Sequence, residues 1–230
     1  MIEKYPEIAL ERFDKSNFWI LYFVYKIRKF LKDDILEVGA GCGSFTRGYM
    51  KNFQSITLTD TDEGSYNLLK KNFINEKNIN VLNSNTKDID SKFNTLLYFN
   101  VLEHVKDDKL EIKNALEKLS YGGHLIILVP AHQKIYSKLD KAVGHYRRYD
   151  INFFKENKFE NSEIVKLHFL DFFGYALYYL NKIFFKKETY PTAVKIFIWD
   201  KIFTPLTTIV DFFTGYKFGK NILCIYKKTS

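Results

Sequence analysis

The feature that most constrains this chain lies at residues 35–46, Ile-Leu-Glu-Val-Gly-Ala-Gly-Cys-Gly-Ser-Phe-Thr. A short apolar run meets the acid Glu37 and then three alternate glycines, Gly39, Gly41 and Gly43, before a helix-compatible segment. Strand, glycine turn, helix is how an α/β protein brings bare backbone against a nucleoside-bearing ligand. Side chains in the turn would block that approach, and glycine reaches dihedrals that other residues avoid.

The spacing narrows the ligand. A dinucleotide fingerprint reads G-x-G-x-x-G; here the third glycine comes one residue early and Ser44 stands in its place. No G-x-x-x-x-G-K-[ST] loop for a nucleoside triphosphate is present. Residues 55–59 are β-branched and apolar enough for a second strand, which ends in Asp60, Thr61 and Asp62. Asp60 follows Gly43 by 17 residues, room for a helix and a return loop. A carboxylate at that strand end can accept both hydroxyls of a ribose. The competing reading is an acidic turn that caps a helix beginning near Glu63. The ribose role is assigned to Asp60 rather than Asp62. A third strand at 79–82 leads to Ser84, Asn85 and Thr86. A fourth begins at Thr95 and runs into Asn100, Val101, Leu102, Glu103 and His104, with a charged helix expected from about Asp107 to Leu119. A fifth strand, 124–129, follows Gly122 and Gly123 and closes at Pro130.

The acid two residues before the first glycine, together with G-x-G-x-G, resembles motif I of the class I S-adenosylmethionine-dependent methyltransferases. Residues 101–104, Val-Leu-Glu-His, resemble the tetrad found in one large branch of them. The resemblance implies an α/β, Rossmann-like seven-stranded sheet of order 3-2-1-4-5-7-6, the last strand antiparallel, with helices on both faces. It also implies S-adenosyl-L-methionine as cofactor and S-adenosyl-L-homocysteine as product. The residues that would hold them are Glu37, Gly39, Ala40, Gly41, Gly43, Asp60, Thr61, Asn85, Thr86, Asn100 and Val101, with Asn85 directed at the adenine amino group. Two positions depart from the pattern: Asn94 and Asn85 stand where many relatives carry Asp. The Asn-Pro-Pro-Tyr type motif of amide and exocyclic amine methylation is absent, since the fourth strand ends in Asn100, Val101 and Leu102.

Residues 129–149 form a second informative region. They hold two of the five arginines, Arg147 and Arg148, two of the five histidines, His132 and His145, and the tyrosines Tyr136, Tyr146 and Tyr149. The pattern P-A-H…D…G-H-Y-R-R-Y is similar to that of a subgroup of bacterial and archaeal methyltransferases. It follows the fifth strand, at the edge where α/β proteins hold their ligands. A substrate or lid role is expected, with the planar fork of Arg147 suited to a carboxylate or phosphate. The alternative is an ordered loop whose arginines pair with acids of the same domain.

The 230 residues, 46% hydrophobic, suit one α/β domain with an insertion. The expected division is an N-terminal helical segment at 1–32, a core at 33–169, an aromatic helical insertion at 170–220, and the last strand at 221–230. Cys42 and Cys224 are far apart, and no signal peptide is visible, which fits a reducing cytoplasm. The net charge of +8 comes mainly from scattered lysines with only five arginines and no basic arm, which argues against nucleic acid as partner. Aromatics recur at helical spacing through the insertion, as two or three helices packed into a lid would require. Its longest apolar stretch is interrupted by Asp171, Asn181 and Lys182, too soon for a membrane span. An aromatic, lysine-bearing element also fits peripheral contact with the inner face of a membrane, or a lipid-linked acceptor; the alternative is that the aromatics are the insertion's own core.

Methyl transfer from a sulfonium is an in-line displacement governed by alignment and desolvation. The expected acceptor is a small molecule, a glycan or a lipid-linked group; an RNA methyltransferase and a non-catalytic nucleoside-binding relative are the alternatives. A hydroxyl acceptor benefits from a general base. His104 is ranked first for that role and His145 second, with His132 also near. Some quinone-pathway and RNA-end methyltransferases bind a divalent metal through E-x-x-E-H. The corresponding stretch here begins with the amide of Asn100, a poorer ligand than a carboxylate, and no required metal is expected.

Overall fold

The computed structural model describes residues 16–184 and 192–230, the side chains of 180–184 excepted. The first part of the N-terminal helical segment, residues 1–15, and residues 185–191 of the insertion lie outside the described residues.

Seven strands build one sheet: β1 (Ile35–Val38), β2 (Ile56–Thr59), β3 (Ile79–Leu82), β4 (Phe93–Phe99), β5 (Leu119–Pro130), β6 (Ser162–Leu170) and β7 (Asn221–Lys228). Their order is β3-β2-β1-β4-β5-β7-β6, as the sequence implied. The first five are parallel, with Ile35 flanked by Ile56 on one side and Thr95 on the other. β7 runs antiparallel to both β5 and β6. The fifth strand starts earlier than its apolar run indicates. Leu119 already pairs with Phe93, and a register shift then passes Gly122 and Gly123 before His124 meets Thr95.

The helices are α1 (Asn17–Ile27), α2 (Ser44–Tyr49), α3 (Glu63–Asn72), α4 (Asp108–Glu117), α5 (Lys138–Ala142), α6 (Ile151–Glu156), α7 (Phe172–Phe184), α8 (Ala193–Ile198) and α9 (Thr204–Phe213). A π-helical turn, Trp199–Phe203, joins the last two. Strand alternation sends Leu36, Leu96, Leu125 and Ile127 to one face, where they meet Ile112 and Leu116 of α4 and Phe154 of α6. Ile35, Leu97, Ile126 and Leu128 go to the other, against Phe23 and Ile27 of α1, Phe45 of α2 and Leu69 of α3. Each fully buried side chain of this kind stabilises the fold by about 1.5–3 kcal/mol.

The insertion is anchored by buried carboxylates as well as by aromatics. Asp211 of α9 accepts from the amides of Asp171 (2.9 Å) and Phe172 (3.0 Å) and from the Tyr22 hydroxyl, so it ties α1 and the start of α7 to α9. Asp200 accepts from the Trp19 amide at 2.9 Å. α7 reaches the loop after β5, where the Tyr178 hydroxyl donates to the Ile135 carbonyl. Among the described residues no helix is long and apolar enough to cross a membrane.

Candidate active site

The site grows from the turn after β1. Gly41 has φ +60° and its α-carbon faces open space: a β-carbon there would meet nothing within 4 Å. Gly43, at φ +80°, serves packing instead, since a β-carbon would lie 2.2 Å from Cε2 of Phe73. A β-carbon on Gly39 would sit 2.8 Å from Cγ2 of Val101, which brings the glycine turn against the segment after β4. The Ala40 amide donates to the Thr59 carbonyl at 2.9 Å and ties the turn to β2.

The two acids at the end of β2 face different ways. Asp62 caps α3, its Oδ2 accepting from the Ser65 amide at 2.8 Å. Asp60 turns toward the glycines: Oδ2 accepts from the Gly41 amide at 3.0 Å and Oδ1 from the Asp62 amide at 3.0 Å. Burial raises its pKa, and the amides of Asp62 and Gly41 oppose the rise. Thr61, between the two, is exposed.

Glu37 is buried beneath the turn, where Oε2 accepts from the Thr46 hydroxyl (2.7 Å) and the Tyr49 hydroxyl (2.5 Å) of α2. Burial pushes its pKa up to about 7 despite both bonds. Thr86 is likewise interior, its hydroxyl 2.7 Å from that of Tyr98. Asn85 donates to Asp88 Oδ2 at 2.6 Å, and its buried Oδ1 has no partner among the described residues. Asn100 ends β4 at φ +54°, its amide bonded to the Leu128 carbonyl at 2.9 Å, and redirects the chain into Val101.

Past Val101 a 3₁₀ turn, Leu102–His104, presents Glu103 and His104 to the loop after β5. The Tyr146 amide donates to the Glu103 carbonyl at 2.8 Å and fixes the two segments together. His104 and His145 meet edge to face, ring centroids 4.6 Å apart. Desolvation and the neighbouring His145 lower the pKa of His104, although the residue as a whole is exposed. Glu103 is fully buried, and neither carboxylate oxygen has a hydrogen-bond partner among the described residues. Burial raises its pKa to about 8, its own amide and the Arg148 charge offsetting only part of the effect.

Asp140 organises this loop. It accepts from the Ser137 amide and hydroxyl, both at 2.9 Å, from Arg148 Nε at 2.9 Å, and bonds His145 Nδ1 at 3.0 Å. Burial alone would raise its pKa, but the bonds from His145 and Arg148 hold it well below the usual carboxylate range. Arg147 points the other way, to Asp108 and, at 2.8 Å, to the Lys106 carbonyl. His132 lies apart from the other two histidines, Nε2 2.9 Å from the Gly219 carbonyl and its ring stacked on Phe169. Glu103, Asp140 and Arg148 thus join this cluster, and none of them is among the binding or catalytic residues expected from the sequence. The signal was the isolated Asp140 five residues before His145 within the motif-bearing loop.

Sheet order, the glycine turn and the acid after β2 together define a Rossmann-like methyltransferase fold of class I. The profile of the methyltransferase domain family matches residues 12–162, and the chain belongs to that family. Solved structures share the fold at low identity. A chain from the complex of the Haloferax volcanii Trm112 methyltransferase activator with a methyltransferase is 9% identical, with a TM-score of 0.65 and 96% of each chain covered. The N-methyltransferase NodS of Bradyrhizobium japonicum WM9, in complex with S-adenosyl-L-homocysteine, is 12% identical (TM-score 0.56), covering 92% of this chain and 85% of that one. Coclaurine N-methyltransferase, bound to N-methylheliamine and S-adenosylhomocysteine, is 17% identical (TM-score 0.59), covering 90% and 72%. No curated protein sequence matches the chain.

Proposed function

We propose that this protein transfers the methyl group of S-adenosyl-L-methionine to a small-molecule, glycan or lipid-linked acceptor. The observation that carries the reading is the open space over Gly41 beside the Asp60 carboxylate. A nucleoside can approach bare backbone there while the carboxylate accepts from its ribose hydroxyls. Ala40, Gly41 and Asp60 would line the adenosine, with Asn85 near its base and Asn100 and Val101 along its other flank.

The bound cofactor supplies an activated methyl carbon, and the chain's own residues align and desolvate its acceptor. Glu103, His104 and His145 follow Val101 in space, where a nucleophile would be held. His145, with Nδ1 tied to Asp140 and Nε2 3.8 Å from Glu103 Oε1, is held facing the place an acceptor hydroxyl would take. Arg147, 29% exposed at its side chain, keeps an edge for an anionic group of the acceptor while paired with Asp108.

Calorimetry with S-adenosylmethionine, S-adenosylhomocysteine and NAD tests the reading. Saturable binding of the two sulfur nucleosides, with NAD at least a hundredfold weaker, is expected. Binding of none of them, or of NAD alone, would remove it.

A second reading concerns where the acceptor resides. The outer surfaces of α1 and of α8 through α9 expose Phe18, Leu21, Phe197, Ile209, Phe212 and Phe213. Cations stand among them, with Lys201 Nζ 4.0 Å from the Phe18 ring centroid and the Arg28 guanidinium 4.2 Å from that of Tyr25. This mixture favours peripheral contact with an anionic lipid surface, from which a lipid-linked acceptor would be drawn.

A further inference from the structure

We infer that Glu103, His104 and His145 form a binding site for one divalent cation of the borderline class, such as Zn²⁺ or Co²⁺. Each of the three side chains offers one ligand atom, and these atoms lie within 4.8 Å of one another. Nε2 of His145 and Oε1 of Glu103 are 3.8 Å apart. Metal–ligand bonds of about 2.0–2.2 Å place neighbouring ligand atoms roughly 3–4 Å apart, so small side-chain rotations close the site.

Three further observations point to a ligand rather than to a packing cluster. First, Glu103 is fully buried, yet both its oxygens lack a hydrogen-bond partner among the described residues. A buried carboxyl left so is costly, and a cation that displaces its proton would satisfy it. Second, one nitrogen of the His145 imidazole is already held. Asp140 Oδ1 lies 3.0 Å from His145 Nδ1, and Nε2 is the nitrogen that faces Glu103. A second partner of this kind fixes the tautomer and aims the remaining nitrogen at a metal. Third, the cluster is closed by Glu103 on its buried side and borders solvent at His104, which leaves coordination positions open to a substrate oxygen or water. Two imidazoles and one carboxylate with open positions suit a borderline dication better than a hard one.

The expectation of no required metal rested on Asn100 at the head of the Glu103–His104 pair. The third donor comes instead from His145, 41 residues further on, which the loop after β5 folds back onto the 3₁₀ turn. A cation there would lower the pKa of an acceptor hydroxyl bound to it. That consequence rests on the methyltransferase reading, whereas the metal site does not.

The experiment is a titration of untagged, chelator-dialysed protein with Zn²⁺ by calorimetry and with Co²⁺ by visible absorption, in the absence of cofactor. One equivalent per chain is expected, with a Co²⁺ ligand-field band. E103Q, H104Q and H145Q should each weaken binding at least tenfold while retaining the native circular dichroism spectrum. H104Q, at the exposed position, decides the matter should either of the others fail to fold. No saturable binding by the wild type, or binding that the folded variants leave unchanged, overturns the site. Nucleoside binding is measured separately, so loss of one result leaves the other standing.

Discussion

Asp60 and Gly41, 19 residues apart, are joined by a 3.0 Å bond from the glycine amide to Oδ2 of the carboxylate. The bond makes the end of β2 and the turn after β1 one surface, and it separates Asp60 from Asp62, whose carboxylate faces α3. Asp60→Ala should weaken S-adenosylmethionine binding at least tenfold, about 1.4 kcal/mol. Asp62→Ala should leave affinity within twofold and cost about 1 kcal/mol of stability through the lost cap. Calorimetry and urea unfolding of both variants read the two effects apart. Wild-type affinity in Asp60→Ala would remove the ribose assignment.

Gly41 and Gly43 make a second contrast. Both occupy left-handed backbone, but only Gly43 is packed against a ring. Gly43→Ala should lower stability by about 3 kcal/mol, the sum of backbone strain and displacement of Phe73. Gly41→Ala should cost about 1 kcal/mol of stability and lose most of its nucleoside affinity. Thermal unfolding with and without S-adenosylhomocysteine checks both, and equal stability losses would contradict the division.

The sheet was legible because each strand of its parallel half carries its own signal. Ile35 and Leu36 run into glycines, residues 56–59 run into an acid, and β4 runs into the Val101–Glu103 turn. The early start of β5 was not legible, since Gly122 and Gly123 read as a turn, and only pairing of Leu119 with Phe93 carries the strand through them. The choice between Asp60 and Asp62 was made on chemistry; in the structure the Asp60 carboxylate meets the Gly41 amide and that of Asp62 caps α3. Glu103 was harder to read. Its importance lies in burial without a partner, near the charges of Asp140 and Arg148, 37 and 45 positions away in the chain. No local spacing encodes that.

Glu37 provides a test of burial energetics by pH. Its pKa in the folded protein is about 7 against an ordinary 4.5, with burial the leading cause. Below pH 4.5 the group is neutral folded or unfolded and costs nothing. As pH rises toward 7 the unfolded chain ionises first, so stability is lost across that window, by about 3 kcal/mol in total. Glu37→Gln keeps an acceptor for Thr46 and Tyr49 but cannot ionise. Its unfolding free energy should therefore fall less between pH 5 and 8 than that of the wild type. Parallel pH profiles in urea titrations would show that the carboxyl does not titrate on unfolding.

The exposed aromatics of α9 bear on the membrane reading. Phe212 and Phe213 are 67% and 80% exposed, so they contribute little to the fold, and replacing both with Ser should change stability by no more than about 0.5 kcal/mol per site. If they insert at a lipid interface, the same change removes apolar area from the bilayer boundary and should reduce partitioning onto anionic vesicles at least tenfold. Wild-type binding should also weaken as salt rises, because Arg28 and Lys201 act through screened charge. Co-sedimentation with vesicles of anionic and of neutral lipid separates the contributions. No partitioning of the wild type onto anionic vesicles at low salt would leave these rings as the surface of a helical insertion that meets only water.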